Sequence, residues 1–261
     1  VDFSLNGLYW GKVSSSKIKD NIVFQNEADI GRKKLKQYQA PIEKDLVFPI
    51  LRGKDIKRWQ TMPEYQAIIP YHTNGKCLST EELQTNYANT YKFFYKTDAE
   101  IMNWLETRGI YQKHLKPANI PVYGLYDIGE YTFSKYKVVW KALANGMISS
   151  VISSIDHNIL GESIVIPDHN VLMIPFENEE EAHYLCGILN SEILNDFVVA
   201  YISWFFSSHI LEHINIPNFK NTDNKYLRIS ELSKIAHKNG LLTQKEQDEL
   251  NKLSEEILQG N

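Results

Sequence analysis

The 261-residue chain reads as an α+β protein, a mixed sheet-containing domain followed by C-terminal helices. Three observations predict this. The first third carries short apolar or alternating runs of strand length. Segments with N-terminal caps and helical apolar spacing begin near Ser79, Asn178 and Thr243. The two kinds of element follow one another in mixed order, without separating into an all-α and an all-β part.

In chain order, the early strand runs are Gly7–Val13, Asn21–Phe24, Leu46–Leu51 and Tyr65–Tyr71, and Asn74-Gly75 marks a tight turn. Between them lie two basic segments that each hold an aromatic residue, GRKKLKQY (Gly31–Tyr38) and LRGKDIKRW (Leu51–Trp59). Ser79-Thr80-Glu81-Glu82 is a capping box, in which Ser79 and Glu82 satisfy free amides of the first helical turn. Helical spacing continues over Tyr91–Leu105, with Tyr91, Phe94, Tyr95, Ile101, Trp104 and Leu105 on one face. Gly109 and Pro117 end that region. Strands are expected next at Tyr131–Lys141, Ser163–Ile166 and Val171–Ile174. A helix from Asn178 opens with Glu179, Glu180 and Glu181, which suit the positive end of its dipole, and runs to about Ile202. Pro217 ends the short segment that follows. Two helices close the chain, Lys225–Asn239, stopped by Asn239-Gly240, and Thr243–Gln259, which starts on a capping box of Thr243 and Glu246. Leu250, Leu253, Ile257 and Leu258 give the last helix a narrow apolar stripe that should dock on another surface. The expected division is residues 1–224 as one domain and 225–261 as a C-terminal helical segment.

Within Leu125–Lys141 (LYDIGEYTFSKYKVVWK), aromatics and lysines interleave. From Lys135 the period is two, so Lys135, Lys137 and Lys141 point one way and Tyr136, Val138 and Trp140 the other. An ordinary strand with a solvated lysine face has this pattern, and so does a strand facing phosphate.

No apolar run approaches the ~18 residues that cross a bilayer, so no membrane is an expected partner, and no signal peptide is visible. Cys77 and Cys186 are too few and too far apart for a disulfide framework, and a reducing, cytoplasmic interior is expected. Starting at Val1 rather than Met, the chain is expected to be a fragment with a missing upstream part. The formal net charge of −4 hides an asymmetry. Residues 1–150 carry 21 Lys and Arg against 15 Asp and Glu, while residues 151–261 carry 7 against 17. A basic half beside an acidic half suits a polyanionic partner on one side, although segregated solvated charge gives the same count.

Several motifs invite chemistry. His209-Ile210-Leu211-Glu212-His213 matches the inverted zinc-protease pattern, which needs a helix, a general base and a third ligand downstream. Pro217 leaves that helix little room, and two ordinary histidines at a helix end fit better. Asp156-His157-Asn158 recurs as Asp168-His169-Asn170, but both triplets sit between strand-like runs, where Asp and Asn favour turns. Asp45 with Asp55-Ile56-Lys57 can be forced into a loose nuclease pattern. No phosphate-binding loop, dinucleotide-binding glycine motif or nucleophile elbow is present. No Pro-Pro dipeptide occurs, so the Asn/Asp-Pro-Pro-Tyr/Phe loop used on a flipped-out adenine is missing. The chain reads as a binder without chemistry of its own.

Taken together, LRGKDIKRW (51–59), YDIGEYTFSKYKVVW (126–140), IPDHNVLMIPFENEEEAHYLCGILNS (166–191), HILEHINIPNF (209–219) and LRISELSKIAH (227–237) resemble the C-terminal target-recognition, or specificity, domain of N6-adenine DNA methyltransferases. These are the TaqI-like and type IIG proteins of restriction–modification. The resemblance implies double-stranded DNA as partner, together with an upstream catalytic methyltransferase domain that holds S-adenosylmethionine and the Asn-Pro-Pro-Tyr-type loop. It implies no cofactor in this chain, no metal and no catalytic residue. Three basic patches are then candidates for DNA contact: Arg32, Lys33 and Lys34 (with Lys36 beside them); Arg52, Lys54, Lys57 and Arg58; and Lys135, Lys137 and Lys141. Phosphate contacts position such a domain and a few side chains read base edges. Two other readings stay open: a protein-interaction domain that works through the acidic half and C-terminal helices, and a metal-dependent hydrolase or nuclease.

Overall fold

A computed structural model describes residues 1–31, 33, 35–141, 146–201 and 214–260. The fold is α+β. The chain builds two compact units and passes repeatedly between them. One unit gathers Val1–Ile50, Pro63–Phe133 and Ser154–His169, and the other Leu51–Met62, Ser134–Ser153 and Asn170–Asn261.

The first unit is a six-stranded sheet in the order Ile166–Pro167, Val47–Leu51, Tyr65–Ile68, Trp10–Ser15, Asn21–Asn26, Gln39–Glu43. The run expected as a strand from Gly7 begins as a short helix, Asn6–Tyr9, and becomes a strand only at Trp10. Gln39–Glu43 escapes a reading by apolar runs because it carries Pro41. It is the end strand of the sheet, where a proline is tolerated because one edge makes no ladder bonds. Its Glu43 caps the helix Ala88–Lys96, accepting the Asn89 and Thr90 amides at 2.8 Å each and the Thr90 hydroxyl at 2.7 Å. A carboxylate there also meets the positive end of the helix dipole.

The long helical run divides into Thr80–Asn86, Ala88–Lys96 and Ala99–Thr107. Ser79 and Glu82 form the expected capping box. Asp98 starts the third helix by accepting the Glu100 amide at 2.9 Å. Phe93, Phe94, Ile101 and Leu105 are fully buried with Phe3, Tyr9, Phe24 and Tyr123 in one core. Arg108 lies inside this unit, and its guanidinium donates to the carbonyls of Phe3 (3.0 Å), Val122 (2.6 Å) and Gly124 (2.9 Å). It thereby ties the helix end to two loops.

The second unit has a three-stranded antiparallel sheet in the order Val171–Phe176, Tyr136–Lys141, Ser149–Ile152. Tyr131–Phe133, expected as the start of the central strand, instead falls in a 3-10 turn, Glu130–Phe133, belonging to the first unit. The helices Glu179–Leu189, Glu192–Tyr201, Asn224–Asn239 and Gln244–Leu258 complete the second unit. Asn178 and Thr243 cap their helices as their spacing predicts, and Gly240 takes the left-handed conformation that stops Asn224–Asn239. Leu250 and Ile257 of the last helix are buried with Val138, Trp140, Ile188, Ile229 and Leu232. The apolar stripe of that helix therefore docks on its own unit. Among the described residues no helix is long and apolar enough to cross a membrane.

Candidate functional site

In the second unit a two-stranded ribbon, Ile56–Lys57 with Gln60–Thr61, packs beside the edge strand Ser149–Ile152. Its turn is Arg58-Trp59, and Trp59 adopts a left-handed φ of +69°. That conformation costs a non-glycine residue about 1 kcal/mol or more. Burial of the indole offsets it: Trp59 is 3% exposed and its amide donates to Ser149 O at 3.1 Å. With Trp59 turned inward, Lys57 and Arg58 stand exposed, and Lys54 is exposed on the preceding 3-10 turn, Gly53–Asp55. That turn lies against the central strand of the sheet. Lys135 is exposed just before this strand, with its ammonium 5.2 Å from the Tyr136 ring centre, and Lys141 at its end is half-buried. Two of the three basic patches thus share one scaffold.

Two expected contacts are corrected. Arg52 is buried and forms a bidentate pair with Asp55, with Nε to Oδ2 at 2.8 Å and Nη2 to Oδ1 at 2.9 Å. Asp55 Oδ2 also accepts the Arg52 amide at 3.0 Å. The arginine fixes the turn instead of facing a phosphate. The same pairing uses both Asp55 oxygens, so the Asp55-x-Lys57 pattern has no open carboxylate. Lys137 does not share a solvated face with Lys135 and Lys141. It is fully buried, and its ammonium donates to Ser134 O at 2.7 Å. Burial pulls its pKa down to about 7, against a weaker upward pull from Glu177.

In the first unit, Arg32 and Lys34 lie outside the described residues. Lys33 is exposed, with its ammonium 5.1 Å from the Trp104 ring centre, at a recess of about 540 Å³ also lined by Asn6, Gly31 and Thr107. Lys36 pairs with Asp98 at 3.2 Å and Glu100 at 3.0 Å. Both carboxylates sit at one helix start, so part of that patch's charge is already matched.

The metal candidates resolve differently. His157 ends one strand of a hairpin, and its Nδ1 accepts the amides of Ile159 and Leu160 at 3.2 Å each, holding the turn. His169 and Asn170 occupy another turn. Among the described residues no group of three or more His, Cys, Asp or Glu side chains is placed to hold a metal ion. His209, Glu212 and His213 lie outside the described residues.

Sequence reasoning missed the cluster that supports the ribbon. His237 Nε2 accepts the Val151 amide at 2.8 Å, so that nitrogen carries no proton, and Nδ1–H donates to Ser233 O at 2.7 Å. This neutral ring joins the helix Asn224–Asn239 to the edge strand, and Trp59 contacts it edge-on at 5.6 Å. His183 stands perpendicular to it at 4.8 Å and shares a hydrogen bond with Ser233 Oγ at 3.0 Å. Burial lowers both histidines' pKa values, His183 to about 3 with further lowering from the Lys234 ammonium. In the unfolded chain both titrate near 6.5. Below that pH the unfolded chain takes up protons that the folded one refuses. Stability should therefore hold above about pH 6.5 and fall as pH drops, by up to ~1.4 kcal/mol per unit for each histidine. Urea unfolding at pH 6.5 and 5.5, above the range where carboxylates titrate, should show a lower midpoint at 5.5. An unchanged midpoint would mean that the imidazoles protonate freely in the folded protein.

No family model matches the chain. Among curated proteins, the type II methyltransferase M.NspV of Nostoc sp. (strain ATCC 29411 / PCC 7524) is 24% identical over 166 residues. These make up 62% of this chain and 31% of that protein. The chain is thus distantly similar to a type II methyltransferase and matches about a third of its length.

Proposed function

We propose that this chain is the DNA target-recognition part of a site-specific N6-adenine DNA methyltransferase of a restriction–modification system. In this reading it binds double-stranded DNA in the cytoplasm. Cofactor binding and methyl transfer belong to an upstream domain that carries S-adenosylmethionine, and type IIG organisation is the form its resemblance favours. The observation that carries the reading is the basic ribbon: Lys54, Lys57 and Arg58 are exposed on turns held by Arg52–Asp55 and Trp59, in the same compact unit as Lys135 and Lys141. A rigid turn that presents cations outward can lie along phosphates while other side chains read bases. The similarity to a type II methyltransferase supports DNA as the ligand. On the C-terminal helices, Arg228 pairs with Glu249 and Glu231, Lys225 with Glu256, and Lys234 with Glu179 and Glu180. These pairs are internal to their unit and do not favour an acidic docking face.

The test is duplex affinity across a salt series. Removing one cation that neutralises a phosphate should make the slope of log affinity against log salt shallower by about 0.9. A Lys54→Gln, Lys57→Gln, Arg58→Gln triple variant should show up to three such steps, weakening all duplex sequences alike. A folded variant with the wild-type slope would remove the ribbon from the interface. Absence of salt-dependent duplex binding by the unaltered chain would reject the reading as a whole.

A further inference from the structure

In the first unit a recess of about 500 Å³ is lined by aromatic rings that the fold leaves open. Tyr126 is 42% exposed and Tyr131 41% exposed, among the large side chains that the core does not cover. Neither ring is loose. Tyr131 donates its hydroxyl to Asp127 Oδ1 at 2.7 Å, and Tyr126 lies against the His114 ring at 4.8 Å. The backbone of Tyr126 is pinned by a two-way bridge to Asp2. Beneath them, the Tyr71 hydroxyl donates to Leu125 O at 2.8 Å and accepts the Leu125 amide at 2.9 Å.

Two glycines make the recess possible. A Cβ on Gly75, which has φ +80°, would overlap the Gly129 backbone, and a Cβ on Gly129 would meet the Tyr131 ring at 2.6 Å. The Asn74-Gly75 turn therefore rests backbone on backbone, and the Tyr131 ring packs against Gly129. Lys76 lines the recess, and Lys113 and Lys116 are exposed on the turn that carries His114. Asp127, already engaged by Tyr131, lies among the lining residues, and Glu130 is exposed close by in the chain. Held, half-open aromatic faces with one lysine in the lining and two more on the adjoining turn match the chemistry that holds an unpaired base by stacking and its phosphates by charge.

We propose that this recess binds an unstacked nucleotide of the DNA, its base laid against Tyr126 and Tyr131 and its phosphates beside Lys76 and the Lys113–Lys116 turn. The inference rests on DNA being the ligand and adds a second contact of a different kind, one that selects for an extrahelical base and not for a paired sequence. The lysines argue against a cationic guest in the same aromatic setting.

The experiment compares two duplexes of one sequence, one fully paired and one with a single extrahelical 2-aminopurine. The unaltered chain should bind the second about 10-fold more tightly and quench the 2-aminopurine fluorescence. Tyr126→Ala with Tyr131→Ala should abolish both the preference and the quenching, while Tyr126→Phe with Tyr131→Phe should keep them. Equal binding of both duplexes with an unquenched probe would overturn the inference and leave the recognition function standing. If the chain bound no duplex yet quenched a short single-stranded 2-aminopurine oligonucleotide through the same two tyrosines, the recess would stand and the recognition function would fall. Quenching that persisted in the double Ala variant would place the base elsewhere and overturn the proposal.

Discussion

Replacing Arg52 with Met should destabilise the protein by about 3–5 kcal/mol, because Asp55 would keep its buried charge without the guanidinium that matches it. The pair is almost out of solvent, with the side chains 11% and 6% exposed, so water would do little to replace the missing partner. The Arg52→Met, Asp55→Asn double variant should recover most of the loss. The asparagine carries no charge and can still accept the Arg52 amide that now closes the turn on Asp55 Oδ2. Equilibrium urea unfolding of the two single variants and the double gives the coupling directly. A loss below ~1 kcal/mol for Arg52→Met would mean that the pair is solvent-screened and contributes like a surface ion pair. For the proposed duplex binding, the effect should be the reverse of what a phosphate contact gives: the folded fraction of Arg52→Met should keep the wild-type salt slope.

The second large effect has the opposite sign. Lys137→Met should stabilise the protein at pH 7 by on the order of 2–4 kcal/mol. The folded lysine titrates at about 7, lowered by burial, whereas in the unfolded chain it titrates near 10.4. Between those values the unfolded chain holds a proton that the folded one lacks, so the wild type gains stability as pH rises through the window. The cost of burying Lys137 is therefore complete at and below pH 7 and fades towards pH 10. The advantage of the Met variant should shrink over the same range. Unfolding curves at pH 7 and 9.5 test both parts. A Met variant no more stable than the wild type at pH 7, or a gain that does not change with pH, would show that the ammonium is accommodated without cost.

These two residues also mark where sequence reasoning reaches its limit. The alternation of Tyr136, Val138 and Trp140 places Val138 and Trp140 in the core, and both are there. It fails at Lys137 because a period of two identifies a solvated face only when one face is solvated. This strand is the centre of its sheet, with the helix Glu179–Leu189 and the turn Gly53–Asp55 both packed on it. Nothing local in YKVVWK reports those neighbours. The caps at Ser79, Asn178 and Thr243 were legible because they are formed by residues three apart. Asp98 could have been found the same way, since Asp98 with Glu100 two residues on is a helix start that divides the Tyr91–Leu105 run. Glu43 on the helix Ala88–Lys96 and His237 on Val151 are separated by 46 and 86 residues. Neither pairing leaves a trace in sequence spacing. In the candidate interface, charge identified Lys54, Lys57 and Arg58, but only the structure separates them from Arg52, which has the same composition around it and the opposite role.

The interleaving of the two units limits how this protein can be rebuilt. Each unit is assembled from three separate stretches of chain, so no single cut releases either one whole. Joining an N-terminal half to the C-terminal half of a relative would leave both units patched from mismatched parents. Leu51–Met62 would come from one parent and the strand and helices it rests on from the other. A working transplant has to carry Leu51–Met62, Ser134–Ser153 and Asn170–Asn261 together, as one cassette written in three places.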